Sequence, residues 1–168
     1  MGDTMKDILY SPWRLKYILS NKDEKCILCL KPSEKDDDHL ILFRSKNSFV
    51  MMNLYPYNNG HLMVVPNNHV STLNKLSKEE LNDLFETVQL CEKVLQRKYN
   101  PDGFNIGLNL GKSAGAGIDE HLHVHIVPRW AGDVNFMTSI GGTRVIPENF
   151  ETAFKQLKEQ FDNERAQK

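Results

Sequence analysis

The chain lacks any long apolar run and carries almost no net charge, and both absences exclude classes of protein. No stretch approaches the roughly 18 consecutive apolar residues that a membrane helix needs, and the N-terminus lacks the apolar segment of a signal peptide. We therefore expect a cytoplasmic protein with no membrane partner. The net charge of -1 provides no overall basic field, so we expect no nucleic-acid partner, and any phosphate site must be local.

Cysteine is scarce as well. The chain has 3 cysteines: Cys26 and Cys29, which form a Cys-x-x-Cys pair, and Cys91 alone. This number and spacing do not make a disulfide framework. For the pair, metal binding, redox chemistry and burial all stay open. Cys91 falls on the apolar stripe of a predicted helix, so we expect it in the core.

The periodicities that are present predict an antiparallel α+β domain. A chain of 168 residues with 40% hydrophobic residues suits one domain over residues 1–168. Strand patterns occupy residues 40–43, 49–53, 61–65, 104–110 and 121–128. Residues 1–25 form an N-terminal extension with a helix-like segment at 11–18. Strands joined by turns, with helices inserted rather than alternating, favour this class of fold.

Two main helices are predicted. The first begins at Ser77, whose Ser-x-x-Glu spacing to Glu80 is a capping box. Its apolar positions recur at i, i+3, i+4 spacing and predict one buried stripe; they are Leu81, Leu84, Phe85, Val88, Cys91, Val94 and Leu95. The second is an amphipathic C-terminal helix within residues 147–168.

The richest pattern is a row of histidines. His121, His123 and His125 alternate with apolar residues, which predicts a strand with all three imidazoles on one face. Imidazole can act as nucleophile, acid, base or metal ligand near neutral pH. A purely structural strand would use Thr, Lys or Tyr at such positions. The row therefore predicts a functional site.

A glycine-rich turn at residues 111–117 precedes the histidine row. It has the spacing of neither a Walker loop nor a dinucleotide fingerprint, so alone it fits an ordinary flexible hairpin equally well. Glycines do let backbone N–H groups approach a phosphate closely. Since the turn leads directly into three imidazoles, we expect it to bind phosphate.

These residues carry a family resemblance. The run from His121 to Val127 resembles the signature of the histidine triad (HIT) superfamily of nucleotidyl hydrolases and transferases. Further matches to that pattern are Asn53, Gly60-His61, Pro66 with His69, Asn109-x-Gly111 and Pro128-Arg129. The segments at 11–14, 26–29 and 130–136 further resemble the bacterial branch described as diadenosine tetraphosphate phosphorylases or hydrolases. The resemblance covers nearly the whole chain.

The resemblance implies a HIT-like fold, an antiparallel sheet of about five strands with two main helices. It implies cleavage of dinucleoside polyphosphates, or of related nucleoside phosphate esters and phosphoramidates, through a covalent nucleotidyl-histidine intermediate. His123 would be the nucleophile, His125 would contact the phosphate and the leaving oxygen, and His121 would orient the site or bind metal. The nucleotide-binding residues would be Asn53 at the ribose and, at the phosphates, Asn109, Gly111, Ser113, Gly115 and Gly117.

The resemblance also implies a structural zinc site, no organic cofactor and a homodimer. The zinc ligands would be Cys26, Cys29, His69 and His121, a closed tetrahedral set. His39 is either a substitute ligand or simply exposed. Relatives form dimers in which the sheets of two subunits join.

Two rival functions stay open. In a zinc-dependent hydrolase, His121 and His123 would hold a catalytic metal with an open position, although Asp119 and Glu120 precede the strand rather than lying on it. In the other rival, the chain is a non-catalytic nucleotide-binding module. For the HIT enzyme, the sequence leaves both water and phosphate open as the acceptor.

Overall fold

The computed structural model describes residues 26–32, 35–143 and 145–166. The predictions for the N-terminal extension, including the helix-like segment at 11–18, lie outside these residues. Within the described part, the strands are β1 (Ile41–Arg44), β2 (Ser48–Met52), β3 (Leu62–Pro66), β4 (Gly103–Gly107) and β5 (Val124–Arg129). The α-helices are α1 (Lys78–Tyr99), the short α2 (Phe136–Ser139) and α3 (Phe150–Ala166).

In the described residues the strands form a five-stranded sheet in the order β1-β2-β3-β5-β4, and every neighbouring pair is antiparallel. The predicted α+β class, with about five strands and two main helices, is confirmed. Because β5 inserts between β3 and β4, His125 lies on an inner strand of the sheet and β4 forms an edge. This order places β5 beside the start of β3, where His61 stands.

Helix α1 begins as its sequence predicts. The Ser77 side chain accepts the backbone N–H of Glu80, and the Glu80 carboxylate accepts that of Ser77, so the capping box is complete. The predicted stripe is largely confirmed, with Leu84, Val88, Cys91, Val94 and Leu95 buried. Leu81 is only half-buried, and Phe85 is 45% exposed. Thr87, which was not part of the predicted stripe, is buried, and its hydroxyl accepts a hydrogen bond from the buried Ser48.

The main core lies between one face of the sheet and the helices α1 and α3. It is formed by apolar side chains from both layers, among them Val50, Leu62, Val64, Leu84, Leu95, Val124, Ile126, Leu157 and Phe161. A smaller cluster covers the other face and contains Leu28, Ile41, Phe49, Met63 and Val65. Leu28 stands between the two cysteines of the Cys-x-x-Cys pair. Its burial therefore anchors that segment against the sheet.

The histidine strand is shorter than the sequence predicts, because β5 begins at Val124 rather than His121. Strands β3 and β5 pair from Leu62 opposite Ile126 to Val64 opposite Val124. Continuing that register would put Leu122 opposite Pro66, which has no N–H to donate. The Leu122 amide instead donates to the carbonyl of Val70 at 2.6 Å. The chain before Val124 thus leaves the sheet.

None of the helices in the described segments is both long and apolar enough to cross a bilayer.

Candidate active site

The three histidines of the row divide into two environments. The rings of His123 and His125 lie edge to face, with centroids 4.8 Å apart and planes at 78° to each other. The ring of His121 instead lies 5.0 Å from that of His69. The prediction that all three imidazoles share one strand face is therefore wrong, because the strand begins only after His123. His123 and His125 face the candidate catalytic centre, and His121 faces the candidate metal centre.

The protonation of His123 follows from its hydrogen bond to the backbone. Its Nδ1 lies 2.9 Å from the carbonyl oxygen of His121. A carbonyl oxygen can only accept, so Nδ1 carries the proton and donates it. In the neutral ring the other nitrogen, Nε2, then holds a free lone pair. That nitrogen is the nucleophilic atom that the predicted role of His123 needs.

A fourth histidine, His61, fixes the protonation of His125. The backbone N–H of Tyr57 donates to His61 Nδ1 at 3.0 Å, so this nitrogen is unprotonated and the proton lies on Nε2. His61 Nε2 lies 3.0 Å from His125 Nδ1 and donates to it. His125 therefore carries its own proton on Nε2. The two neighbouring imidazoles therefore differ at Nε2: His123 offers a lone pair there, and His125 offers an N–H.

Burial keeps the rings of His61 and His125 neutral. Burial and the neighbouring His125 and His123 lower the pKa of His61 to about 3. Burial and His123 lower the pKa of His125 to about 4. Removing an imidazolium from water is costly, and a second positive charge at this distance would add to that cost. The hydrogen-bond directions above therefore hold at neutral pH.

Local geometry brings His61 to this place. Gly60 has a φ of +69°, and a Cβ at this position would lie 2.8 Å from the ring of Tyr99. Only glycine meets both conditions without strain. The ring of Tyr57, 54% exposed, covers His61 at a centroid distance of 4.7 Å. His61 matches the family pattern, but no role was predicted for it; the available signal was a histidine at the first position of a predicted strand.

Of the predicted nucleotide-binding residues, Asn53 lies next to the imidazoles. Its Nδ2 lies 3.4 Å from His61 Nε2, while its Oδ1 accepts the backbone N–H of Tyr55. The other five belong to the glycine-rich segment between β4 and His121. In the described structure no hydrogen bond joins them to the imidazoles; they are Asn109, Gly111, Ser113, Gly115 and Gly117.

The glycine-rich turn is exposed and uses some of its own amides. A short 3-10 turn spans Lys112–Ala114, and Gly111 and Gly115 adopt φ values of +81° and +87°. The amides of Ala114 and Ala116 donate to the carbonyl of Gly111, and that of Gly115 donates to Lys112. Gly115 is therefore required for the shape of the turn, and its N–H is already used.

Four predicted zinc ligands lie together at the second site. Cys26, Cys29, His69 and His121 each offer one donor atom, and these atoms all lie within 4.8 Å of one another. The Cys26 and Cys29 Sγ atoms are 3.4 and 3.6 Å from His121 Nδ1, and Cys29 Sγ is 3.2 Å from His69 Nδ1. Sulfur and nitrogen ligands of one tetrahedral zinc ion would be about 3.6 Å apart. The cluster therefore fits such an ion.

The chemistry of the donors agrees with this fit. His121 Nε2 donates to the carbonyl of Pro66 at 2.9 Å, which leaves Nδ1 free to bind a metal. Burial lowers the pKa of His121 and so favours the neutral ring. Burial and the neighbouring Cys26 raise the pKa of the Cys29 thiol. A bound cation would lower this pKa and so favour the thiolate that binds metal.

Two other histidines that were predicted as alternative metal ligands do not belong to the cluster. His39 lies in the 3-10 turn Asp37–His39 and is not one of its members. His123, which the rival zinc hydrolase would use as a ligand, is not a member either. The geometry thus separates the candidate metal site from the candidate nucleophile.

An antiparallel sheet with paired imidazoles beside a Cys/His cluster defines a class of protein, and comparison with known families identifies it. A family model described as "HIT domain" matches residues 34–132, more than half of the chain. The chain therefore belongs to the HIT family.

Similar proteins include enzymes that act on dinucleotides. The chain is 50% identical over 117 residues to the "AP-4-A phosphorylase" of Mycobacterium tuberculosis, covering 70% of this chain and 60% of that protein. It is 38% identical over 89 residues to the "Bis(5'-adenosyl)-triphosphatase" of Dictyostelium discoideum, covering 53% and 59%. The chain thus spans about three fifths of the length of these curated relatives.

A solved structure supports the fold. A Zn-bound histidine triad family protein from Mycobacterium smegmatis matches with a TM-score of 0.62 and 24% identity, covering 77% of this chain and 88% of that one. At this identity the match shows the fold alone.

Proposed function

We propose that the protein is a nucleotidyl hydrolase or transferase that works through a covalent nucleotidyl-His123 intermediate. The observation that carries this proposal is the pairing of an unprotonated His123 Nε2 with a protonated His125 Nε2 in rings 4.8 Å apart. One ring can attack phosphorus while the other donates a hydrogen bond to an oxygen bound to that phosphorus. His121 orients His123 through its carbonyl oxygen.

The first chemical step forms the Nε2–P bond of His123 as the P–O bond to the departing group breaks. The bonding electron pair leaves on that oxygen, where the His125 N–H stabilises the developing negative charge; such a donor contributes about 10²- to 10³-fold in rate. In the second step an acceptor oxygen attacks phosphorus, and the electron pair of the N–P bond returns to Nε2. When the acceptor is water, its proton goes to solvent.

For the substrate we propose dinucleoside polyphosphates such as diadenosine tetraphosphate, or related nucleoside phosphate esters and phosphoramidates. The names of the two curated relatives support this class, since one is a phosphorylase and the other a hydrolase of adenine dinucleotides. We infer that Asn53 contacts the ribose. Phosphate oxygens would bind at Asn109 and Gly111 and at those amides of the turn that its own hydrogen bonds leave free, including the amides of Ser113 and Gly117. Gly115 would shape this turn.

We further propose one structural zinc ion held by Cys26, Cys29, His69 and His121, and no organic cofactor. The donor distances and the hydrogen bond from His121 to Pro66 support this proposal. When bound, such an ion would crosslink the Cys-x-x-Cys segment, the region after β3 and the residue preceding the nucleophile. It would thereby hold the carbonyl that orients His123.

We infer that the protein is a cytoplasmic homodimer whose sheets join at the β4 edges. In β4, Asn105, Ile106 and Gly107 are exposed, and an exposed edge strand can pair with another chain. One domain over residues 1–168, with 1–25 as an extension and the C-terminal helix within 147–168, stays a prediction.

One experiment tests substrate and acceptor together. The protein is incubated with diadenosine triphosphate and diadenosine tetraphosphate, with and without inorganic phosphate, and the products are identified. From diadenosine tetraphosphate a phosphorylase produces ATP and ADP and needs phosphate, whereas a hydrolase produces ATP and AMP without it. From diadenosine triphosphate the products are two ADP and ADP with AMP, respectively, so AMP is the diagnostic product for both substrates. Quenching in alkaline denaturant should preserve AMP on His123 in either case, because the P–N bond of a phosphoramidate is cleaved by acid but is stable in base. Intact substrate under every condition would refute the proposed function.

A further inference from the structure

Two loops beside the paired imidazoles are joined by a buried amide. Asn58, only 6% exposed, lies in the loop between β2 and β3. Its Nδ2 group donates to the carbonyl of Pro128 at 3.1 Å and to the carboxylate of Asp133 at 2.8 Å. Both of its N–H bonds are therefore used, and both fasten this loop to the end of β5.

Asp133 is itself held firmly. Arg129 donates to both carboxylate oxygens, from Nε at 2.6 Å and from Nη2 at 2.8 Å. The backbone N–H of Trp130 also donates to this carboxylate. The side chain of Asp133 is 9% exposed. A buried carboxylate fixed by a bidentate arginine is a rigid acceptor, so it is suited to hold a second loop in place.

The same loop carries the groups that orient His125. The carbonyl of Asn58 accepts the backbone N–H of His61 at 3.2 Å, and the residue before Asn58, Tyr57, donates its N–H to the His61 ring. His61 in turn donates to His125. A displacement of Asn58 would therefore move both backbone groups that orient His61. Asp133, Asn58, His61 and His125 form one connected series.

We propose that Asp133 and Asn58 are positioning residues that maintain the His61–His125 hydrogen bond and thereby aim the His125 N–H at the departing oxygen. The proposal rests on the proposed function for the role of His125. Misplacement of a reacting group by about 1 Å can reduce a rate by about 10²-fold. Loss of the hydrogen bond between Asn58 and Asp133 should therefore lower turnover measurably.

The direct test is nuclear magnetic resonance of ¹⁵N-labelled protein. The scalar coupling between His61 Nε2 and His125 Nδ1 across their hydrogen bond reports this contact without any substrate. It should be present in the native chain and lost in Asp133→Ala. The matched control is Asp102→Ala, because Asp102 accepts the N–H of Ala131 in the same loop at 2.7 Å but does not touch Asn58. The control should keep the coupling.

Asn58→Ser provides a second, milder variant in case Asp133→Ala does not fold. It removes the Nδ2 donors yet keeps the backbone carbonyl that binds His61. Thermal melts of all variants identify which are folded. A native chain without the coupling, or a folded Asp133→Ala or Asn58→Ser variant that retains it, would overturn the proposal.

Kinetic measurements test whether Asp133 and Asn58 aim the His125 N–H at the departing oxygen. The phenyl and p-nitrophenyl esters of AMP share one nucleotide, but phenolate is the poorer leaving group and depends more on the His125 donor. Asp133→Ala should lower kcat for the phenyl ester about tenfold more than for the p-nitrophenyl ester, with little change in KM. Equal losses on both esters would contradict the aiming role. If the native chain cleaves neither these esters nor diadenosine tetraphosphate, the proposed function fails, while the coupling still decides whether Asp133 and Asn58 maintain the His61–His125 hydrogen bond.

Discussion

The carbonyl oxygen of His121 accepts the Nδ1 proton of His123 at 2.9 Å. The same residue points its ring at Cys26 and Cys29, so a candidate metal ligand and the candidate nucleophile share one short backbone link. Movement of His121 would affect both sites. A metal ion there can therefore support catalysis without contacting the substrate.

Replacing the nucleophile should abolish turnover. His123→Ala removes the atom that bonds to phosphorus, and loss of a covalent nucleophile should reduce kcat by about 10⁴-fold or more. The cost in stability should be only about 1–2 kcal/mol, because one hydrogen bond and some packing are lost. Turnover of diadenosine tetraphosphate and a thermal melt measure the two effects. His39→Ala, which lies outside both sites, serves as the control; near-native turnover of His123→Ala would exclude the covalent mechanism.

The metal site predicts about one zinc ion per chain. Cys26→Ala should lower the zinc content and the Tm more than it lowers specific activity, since binding energy at a structural site adds to folding stability. Elemental analysis of protein purified without chelator measures the metal. Cys91→Ala removes a buried thiol outside the cluster and should keep the zinc. Native protein that contains no zinc would refute the proposed zinc site.

The glycine-rich turn can be tested at two positions with different backbone requirements. Gly115 has a φ of +87° and open space around a Cβ, so Gly115→Val strains the backbone by about 1–3 kcal/mol and should weaken AMP binding by distorting the turn. Gly117 has equally open space and no positive φ. Gly117→Ala should therefore leave the Tm unchanged.

If phosphate approaches the backbone here, Gly117→Ala should still weaken AMP binding about tenfold, equivalent to about 1.4 kcal/mol. Calorimetric titration beside a thermal melt separates affinity from stability. Unchanged AMP affinity in both variants would show that the turn does not hold phosphate.

Stability should decrease as the pH falls below about 6.5. In the native protein the pKa values of His61 and His125 lie near 3 and 4, whereas an imidazole in the unfolded chain titrates near 6.5. Between these values the unfolded chain binds protons that the native protein does not. The free energy of unfolding is therefore highest above pH 6.5 and falls with decreasing pH, and the loss is complete only below the native pKa values.

Urea denaturation of the native chain and His61→Gln between pH 7.5 and 4.5 measures this effect. The native chain should show the steeper slope, by at most about 1.4 kcal/mol per pH unit for this one group. Comparing the two slopes removes the contribution of the metal ligands, which both proteins share. Parallel slopes would show that His61 can be protonated in the folded state.

Much of the fold was predictable because its signals are local. The capping box at Ser77 and the alternation of apolar residues in the strands depend on neighbours a few positions apart. The division of the histidine row was not predictable, because it depends on which residue of β3 faces Leu122. His61 and His125 are 64 positions apart, and the contact between Asn58 and Asp133 spans 75. No periodicity relates such pairs; only the strand order brings them together.

The four candidate zinc ligands were predicted from family resemblance, and the structure brings them together. The residue spacing alone left Cys26 and Cys29 open between metal, redox chemistry and burial. The spacing does not reveal that Leu28, between the two cysteines, is buried against the sheet. This burial places the pair beside His121. Packing of an apolar residue thus determines where two polar ligands point.

Pro66 limits how this site can change. A chain with the same six histidines but an amide proton at position 66, as in Pro66→Val, could extend the β3–β5 ladder toward His121. The ladder would then compete with the hydrogen bond between Leu122 and Val70, and a longer sheet would pull His121 away from the thiols. The missing amide hydrogen of Pro66 thus favours the separation of the two centres, and we expect a substitution that lengthens the sheet here to disturb both.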